Sequence, residues 1–197
     1  MPKTEPKTLG DLLYWSYANL AMAHAAVTRG DEKYGTLHFM IRARLYAGLR
    51  EGRMGLGSIV EDERLKMILP QSCSYCGETR SLAVDHLLAK SRGGPDTGDN
   101  IVWACRCCNS SKGATDVLIW LVSRDQFPSL YLLRRYLKLA IEWTTENSLL
   151  NLPLEEANHH VLPFSLASIP TKFPPPRELR MWVEAVTAPA PQEIPSR

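Results

Sequence analysis

Two cysteine pairs of the same form, Cys73-x-x-Cys76 and Cys105-x-x-Cys108, bracket an Asp-His dipeptide in the stretch "CSYCGETRSLAVDHLLAKSRGGPDTGDNIVWACRCCNSSKG", residues 73 to 113. Cysteines two residues apart on a tight turn place two sulfurs on one side of a metal, and two such pairs complete the tetrahedron zinc prefers. A redox dithiol is the alternative for such pairs, and the duplicated spacing favours zinc. Four thiolates leave no open position on the ion, so this site reads as structural. The fifth cysteine, Cys107, has poorer spacing to the others and is read as a packed or inert spare. Any chemistry then falls to Asp85, His86, Asn100, Asn109 and Lys112. Taken singly these are ordinary: a solvated Asp-His, a turn asparagine, a cap asparagine, a surface lysine.

Their order and spacing resemble the HNH nucleases, in the zinc-bearing branch whose pattern runs CxxC, DH, GG, N, CxxC, then H or N, then K. The resemblance covers about one fifth of the chain. His86 aligns with the family's first histidine, Asn100 with its asparagine, and Asn109 with a third position that is often histidine, which makes this an HNN variant. The resemblance implies an α+β, mostly α-helical chain with a ββα-metal core on a structural four-cysteine zinc site, flanked by N- and C-terminal helical extensions. It implies DNA hydrolysis to 3′-hydroxyl and 5′-phosphate ends. His86 would be the general base, its imidazole having an ordinary pKa of about 6.5. Asp85 and Asn109 would hold one Mg²⁺ or Mn²⁺ ion through hard oxygens. Asn100 would orient the histidine loop, and Lys90, Arg92, Arg106 and Lys112 would contact phosphates. One tension is visible at once. Neighbours on an extended strand face opposite ways, so Asp85 needs a kink or bulge to share a site with His86.

The positioning elements follow from the pattern around these residues. "SLAVDHL" and "NIVWA" read as two strands joined by the turn-rich "SRGGPDTGD", and a short helix starts at the second cysteine pair and ends at Gly113. Asp116 caps the next helix, "DVLIWLVSR", and a longer one opens at Pro128. Upstream, residues 8–30 and 33–52 read as a helical hairpin with stops at Gly30 and Gly52. A third helix starts with the capping box Ser58 to Glu61 and ends at Pro70. Downstream, Pro163, Pro170 and Pro174 to Pro176 suggest an extended strap, then a short helix "RELRMWVEAV" and a frayed end, "TAPAPQEIPSR". The expected division is 1–70 helical, 71–115 nuclease core and 116–197 helical with a Pro-rich tail, packed as one unit.

Composition agrees with a folded globular chain: 45% hydrophobic and 22% charged residues exclude wholesale disorder. No apolar run reaches membrane-spanning length and "MPKTEPKTLGD" lacks a secretory h-region, so the expected location is cytoplasmic, with no membrane partner. A net charge of +2 permits a nucleic-acid partner without requiring one. Arg42, Arg44, Arg50, Arg53, Arg134, Arg135 and Lys138 could extend a basic surface along DNA, although helix charges are mostly solvated or paired. Trp15, Trp120, Trp143 and Trp182 read as core, His24 and His38 as structural, and His159-His160 as no chelate, because adjacent helical residues diverge by about 100°. The rival function is a zinc-stabilised nucleic-acid- or protein-binding module without turnover. A partner protein that gates activity, as in phage-defence or mobile-element effectors, and a homodimer both stay open.

Overall fold

The computed structural model describes residues 5–57, 64 and 67–186. The expected Ser58 capping box and the end from 187 onward lie outside the described residues. Helix α1 (Leu9–Arg29) opens at Thr8, whose hydroxyl accepts from the Asp11 amide at 3.1 Å, and closes on Gly30 at φ 72, whose amide satisfies the Ala26 and Val27 carbonyls. A left-handed residue that closes a helix is best supplied by glycine, which has no Cβ to clash. Helix α2 (Thr36–Arg50) starts three residues later than the pattern implies, where the Gly35 amide finds His38 Nδ1 at 2.9 Å.

The sheet is one antiparallel ribbon, β1 (Leu82–His86) paired with β2 (Ile101–Cys105), in the register Asp85 to Val102 and His86 to Ile101. Helix α3 (Arg106–Lys112) follows β2 without a loop, and α4 (Val117–Val122) follows the cap at Asp116. Asp116, 2% exposed, accepts on Oδ1 from the Leu118 and Ile119 amides and on Oδ2 from the Tyr136 hydroxyl and the Ser165 amide. One buried carboxylate thus joins α4, the long helix α5 (Leu130–Glu146) and the strap. Burial and the adjacent Asp116 charge push the Tyr136 phenol well above its ordinary range. A single turn, α6 (Leu154–Ala157), precedes the strap.

Helix α1 packs between α2 and α5, and α5 also meets the turn at Gly98–Asn100 that leads into β2. A single apolar cluster runs from α1 and α5 through Leu87, Leu88, Val102 and Ala104 of the ribbon to α4. The ribbon therefore rests on the helical core, which matters because a two-stranded ribbon alone is marginal in water.

The strap is extended as expected, but "RELRMWVEAV" forms no α-helix: Pro176–Glu178 is one 3₁₀ turn, and residues 179–186 have neither helix nor strand. Its backbone is used elsewhere. The first amides of α5 have no partner within that helix, and the carbonyls of Arg180 and Met181 accept from Leu130 and Tyr131 at 2.9 Å. Further on, the Val186 amide bonds the Gly77 carbonyl at 2.8 Å. Trp182, read as core, is 40% exposed.

Candidate active site

The four sulfurs of Cys73, Cys76, Cys105 and Cys108 lie within 4.8 Å of one another, with 3.7 Å between Cys76 and Cys105. Tetrahedral thiolates about 2.3 Å from a zinc ion would stand about 3.8 Å apart. The first pair is held by a tight turn in which the Cys73 amide bonds the Glu78 carbonyl and the Gly77 amide bonds the Cys73 carbonyl. Gly77 is required there: φ is 81°, and a Cβ would stand 2.1 Å from the Glu184 carbonyl oxygen of the strap. The second pair straddles the strand-to-helix junction, where Cys105 Sγ accepts from the Cys108 amide at 3.4 Å. Burial, then the Cys105 thiol, push Cys108 far above its ordinary value. Cys105 is pulled below its own, because hydrogen bonds from the Cys108 amide and neighbouring thiols outweigh its burial. Cys107 lies outside the cluster and is exposed rather than packed.

Asp85 and His86 project to opposite sides of the ribbon. Val84 is 52% exposed and Asp85 only 6%, and the pairing runs regularly to His86 with no bulge to rotate either residue. Asp85 faces the core, where Oδ2 accepts from the Tyr75 hydroxyl at 2.6 Å and Oδ1 lies 3.1 Å from Lys112 Nζ. Burial, then the Asp85 charge, raise the Tyr75 phenol well above its ordinary range. Lys112 is 2% exposed, so the expected phosphate contact is corrected: its ammonium is spent on Asp85 and on the carbonyls of His86 at 3.3 Å and Gly113 at 3.1 Å. Asn109, one turn earlier on the same helix face, donates Nδ2 to the Val84 carbonyl at 3.2 Å. Helix α3 thereby covers two alternate carbonyls of β1, those of Val84 and His86, with polar side chains.

The donor chemistry beside Asp85 suits a cation, since three oxygens already surround an ammonium there. An ion held by Asp85 would have to take the place of Lys112. Lys112→Met would leave the Asp85 carboxylate buried without its counter-charge, which costs about 3–5 kcal/mol. We expect the melting temperature to fall by roughly 10 °C, with most of the loss recovered in Asp85→Asn/Lys112→Met. A melting temperature unchanged in the single variant would show that the pair holds nothing together.

Asn100 is fully buried and makes three hydrogen bonds: Oδ1 accepts from the Leu88 amide at 2.8 Å, and Nδ2 donates to the carbonyls of Leu88 at 2.8 Å and Pro95 at 2.7 Å. The loop after β1 is folded around this one side chain. It returns through Gly93, at φ 89, and Gly94, where a Cβ would stand 2.1 Å from the Leu88 carbonyl oxygen. The return brings Asp96 under the histidine, with His86 Nε2 at 3.1 Å from Asp96 Oδ1 and Lys90 Nζ on Asp96 Oδ2. Those two hydrogen bonds, Lys90 first, hold the Asp96 carboxyl below its usual range.

Among the other expected phosphate contacts, Lys90 is shared with Asp96, Arg92 is half-buried, and Arg106 is exposed at the start of α3. Four of the seven flanking basic groups considered above are engaged within the fold. Arg135 is fully buried and donates to the carbonyls of Asp99 and Gly98, and Lys138 is 1% exposed. Arg42 stacks on Trp15 and Phe39, and Arg50 pairs with Asp11 at 2.6 Å. Sequence reasoning passed over Tyr75, Asp96 and Trp103. Trp103 pairs with Val84 on the outward face that also carries His86, and the alternation of β2 could have marked it.

Residues 73–115 match the family model described as HNH endonuclease. Comparison with curated proteins found no match, and comparison with solved structures found none. The match begins at the first cysteine of the cluster and spans the ribbon, α3 and all four clustered cysteines, so residues 73–115 are similar to an HNH endonuclease domain, within a chain of α+β architecture whose four clustered cysteines are placed to hold a metal ion.

Proposed function

We propose that the protein is a divalent-ion-dependent endonuclease that hydrolyses DNA phosphodiester bonds, with zinc in the four-cysteine site and His86 as general base. The observation that carries this reading is a partly exposed imidazole at the end of β1, inside the segment that matches the HNH model, its ring anchored by Asp96 on Nε2. His86 takes a proton from water, the water oxygen bonds to phosphorus, and the bond to O3′ breaks. A 5′-phosphate and a 3′-hydroxyl result, the leaving oxygen taking its proton from solvent. Asp85 and Asn109 would hold one Mg²⁺ or Mn²⁺ ion, which when bound supplies charge stabilisation at the phosphate. Arg106 and Arg92 would position the strand. One such site cuts one strand, so duplex breaks would call for a dimer or two successive events.

The engagement of Asp85 by Tyr75 and Lys112 favours a second reading, a zinc-stabilised binding module without turnover. A gated effector of phage-defence or mobile-element type is the intermediate case, in which a partner releases Asp85. The deciding experiment incubates the zinc-loaded protein with supercoiled plasmid, linear duplex and RNA, in Mg²⁺, in Mn²⁺ or in EDTA, with zinc content measured after each. Plasmid cleavage that EDTA abolishes while zinc is retained supports the enzyme. Folded, zinc-loaded protein that retains DNA without cutting it moves the weight to the binding module or the gated effector.

A further inference from the structure

We infer that Asp96 is the positioning residue that fixes the tautomer and direction of the His86 ring, leaving Nδ1 as the nitrogen that meets water. This rests on the nuclease reading above. An ionised carboxylate only accepts hydrogen bonds, so the ring nitrogen 3.1 Å from Asp96 Oδ1, Nε2, must carry the proton. In the neutral imidazole the lone pair then lies on Nδ1, pointing away from Asp96.

An exposed Asp-His contact alone would mean little, since such pairs are screened and cost side-chain entropy. Here the loop that delivers Asp96 is built for the purpose. Asn100, fully buried, grips the loop at Leu88 and at Pro95, the residue before Asp96. Gly94 permits a backbone approach that a Cβ would forbid. Lys90 holds the second carboxylate oxygen and so limits rotation of the carboxylate. The asparagine of the motif thus acts on the histidine through Asp96, two steps removed from the chemistry. Asp96 touches no reacting atom and is a positioning residue.

The test uses the full-length, zinc-loaded protein. Nitrogen-15 NMR of the His86 ring should show the Nε2–H tautomer in the wild type, a mixture in Asp96→Ala, and the Nε2–H form again in Asp96→Asn, whose amide oxygen still accepts. In plasmid cleavage kcat should fall about 10- to 100-fold in Asp96→Ala with KM unchanged, the range seen when an orienting partner of a histidine is lost, and Asp96→Asn should recover most of it. An unchanged tautomer in Asp96→Ala overturns the inference, as does a raised KM with kcat intact, which would make the loop a binding element. A wild type that cuts nothing would count against a self-sufficient nuclease, and the tautomer spectra would still decide the role of Asp96.

Discussion

Replacing Cys108 with serine should strip the protein of zinc and unfold the HNH segment. Structural zinc contributes about 10–16 kcal/mol to the folding of small metal-bound modules, whereas a whole domain is stable by only about 5–15 kcal/mol. The ribbon has little to set against that loss. Its two strands are five residues each, and the turn carrying Cys73 and Cys76 is tied to β2 by one backbone bond from the Ser74 amide to the Trp103 carbonyl. Tyr75 and Asp85, held beneath this turn, lose their fixed geometry once the sulfurs separate. Elemental analysis should find no bound zinc, and hydrogen exchange should lose protection at the amides of Cys73, Ser74 and Gly77. The amides of α1 and α5 should keep more, because those helices pack directly on each other. Cys107→Ser is the control and should change neither, Cys107 being exposed and outside the cluster. Full zinc content and full protection in Cys108→Ser would disprove the four-sulfur site.

Much of this was legible because it is local. Thr8 and Gly30 bound α1, Asp116 caps α4, and each cysteine pair is a two-residue spacing that a turn or helix start converts into adjacent sulfurs. What was not legible depends on partners distant in sequence. Lys112 and Lys138 read as surface charges, yet the carboxylate that receives Lys112 comes from the opposite strand, 27 residues earlier. Arg135 is buried because two turn carbonyls, of Gly98 and Asp99, face α5 there. Residues 177–186 have a helical pattern that loses to non-local demand: the first amides of α5 and the carbonyl of Gly77 take up their backbone. Asp96 carried a faint signal, following a Gly-Gly-Pro turn after the histidine, but only the grip of Asn100 on Pro95 turns that loop back far enough to matter.

His86→Ala should abolish plasmid cleavage while leaving fold, zinc and DNA retention intact. Loss of a positioned general base costs about 10²–10⁴ in rate, equivalent to roughly 3–5 kcal/mol of transition-state stabilisation. The fold has no comparable stake in the ring. The His86 side chain is 24% exposed on the outward face of the ribbon and its partner is the solvated Asp96, while the contact of this residue that matters to packing, Lys112 on its carbonyl, belongs to the backbone and survives truncation. Asp85→Ala is a poorer probe, because it would orphan a buried ammonium and a buried phenol and so confound stability with chemistry. The asymmetry follows from the strand: one face of β1 carries the residue that can be removed without structural cost, the other the residue that cannot. A His86→Ala protein that melts within about 2 °C of the wild type, binds plasmid and cuts nothing would assign the base. Equal cutting by the variant would move proton abstraction away from the ribbon, and melting far below the wild type would mean that the Asp96 loop contributes to the fold as well as to the site.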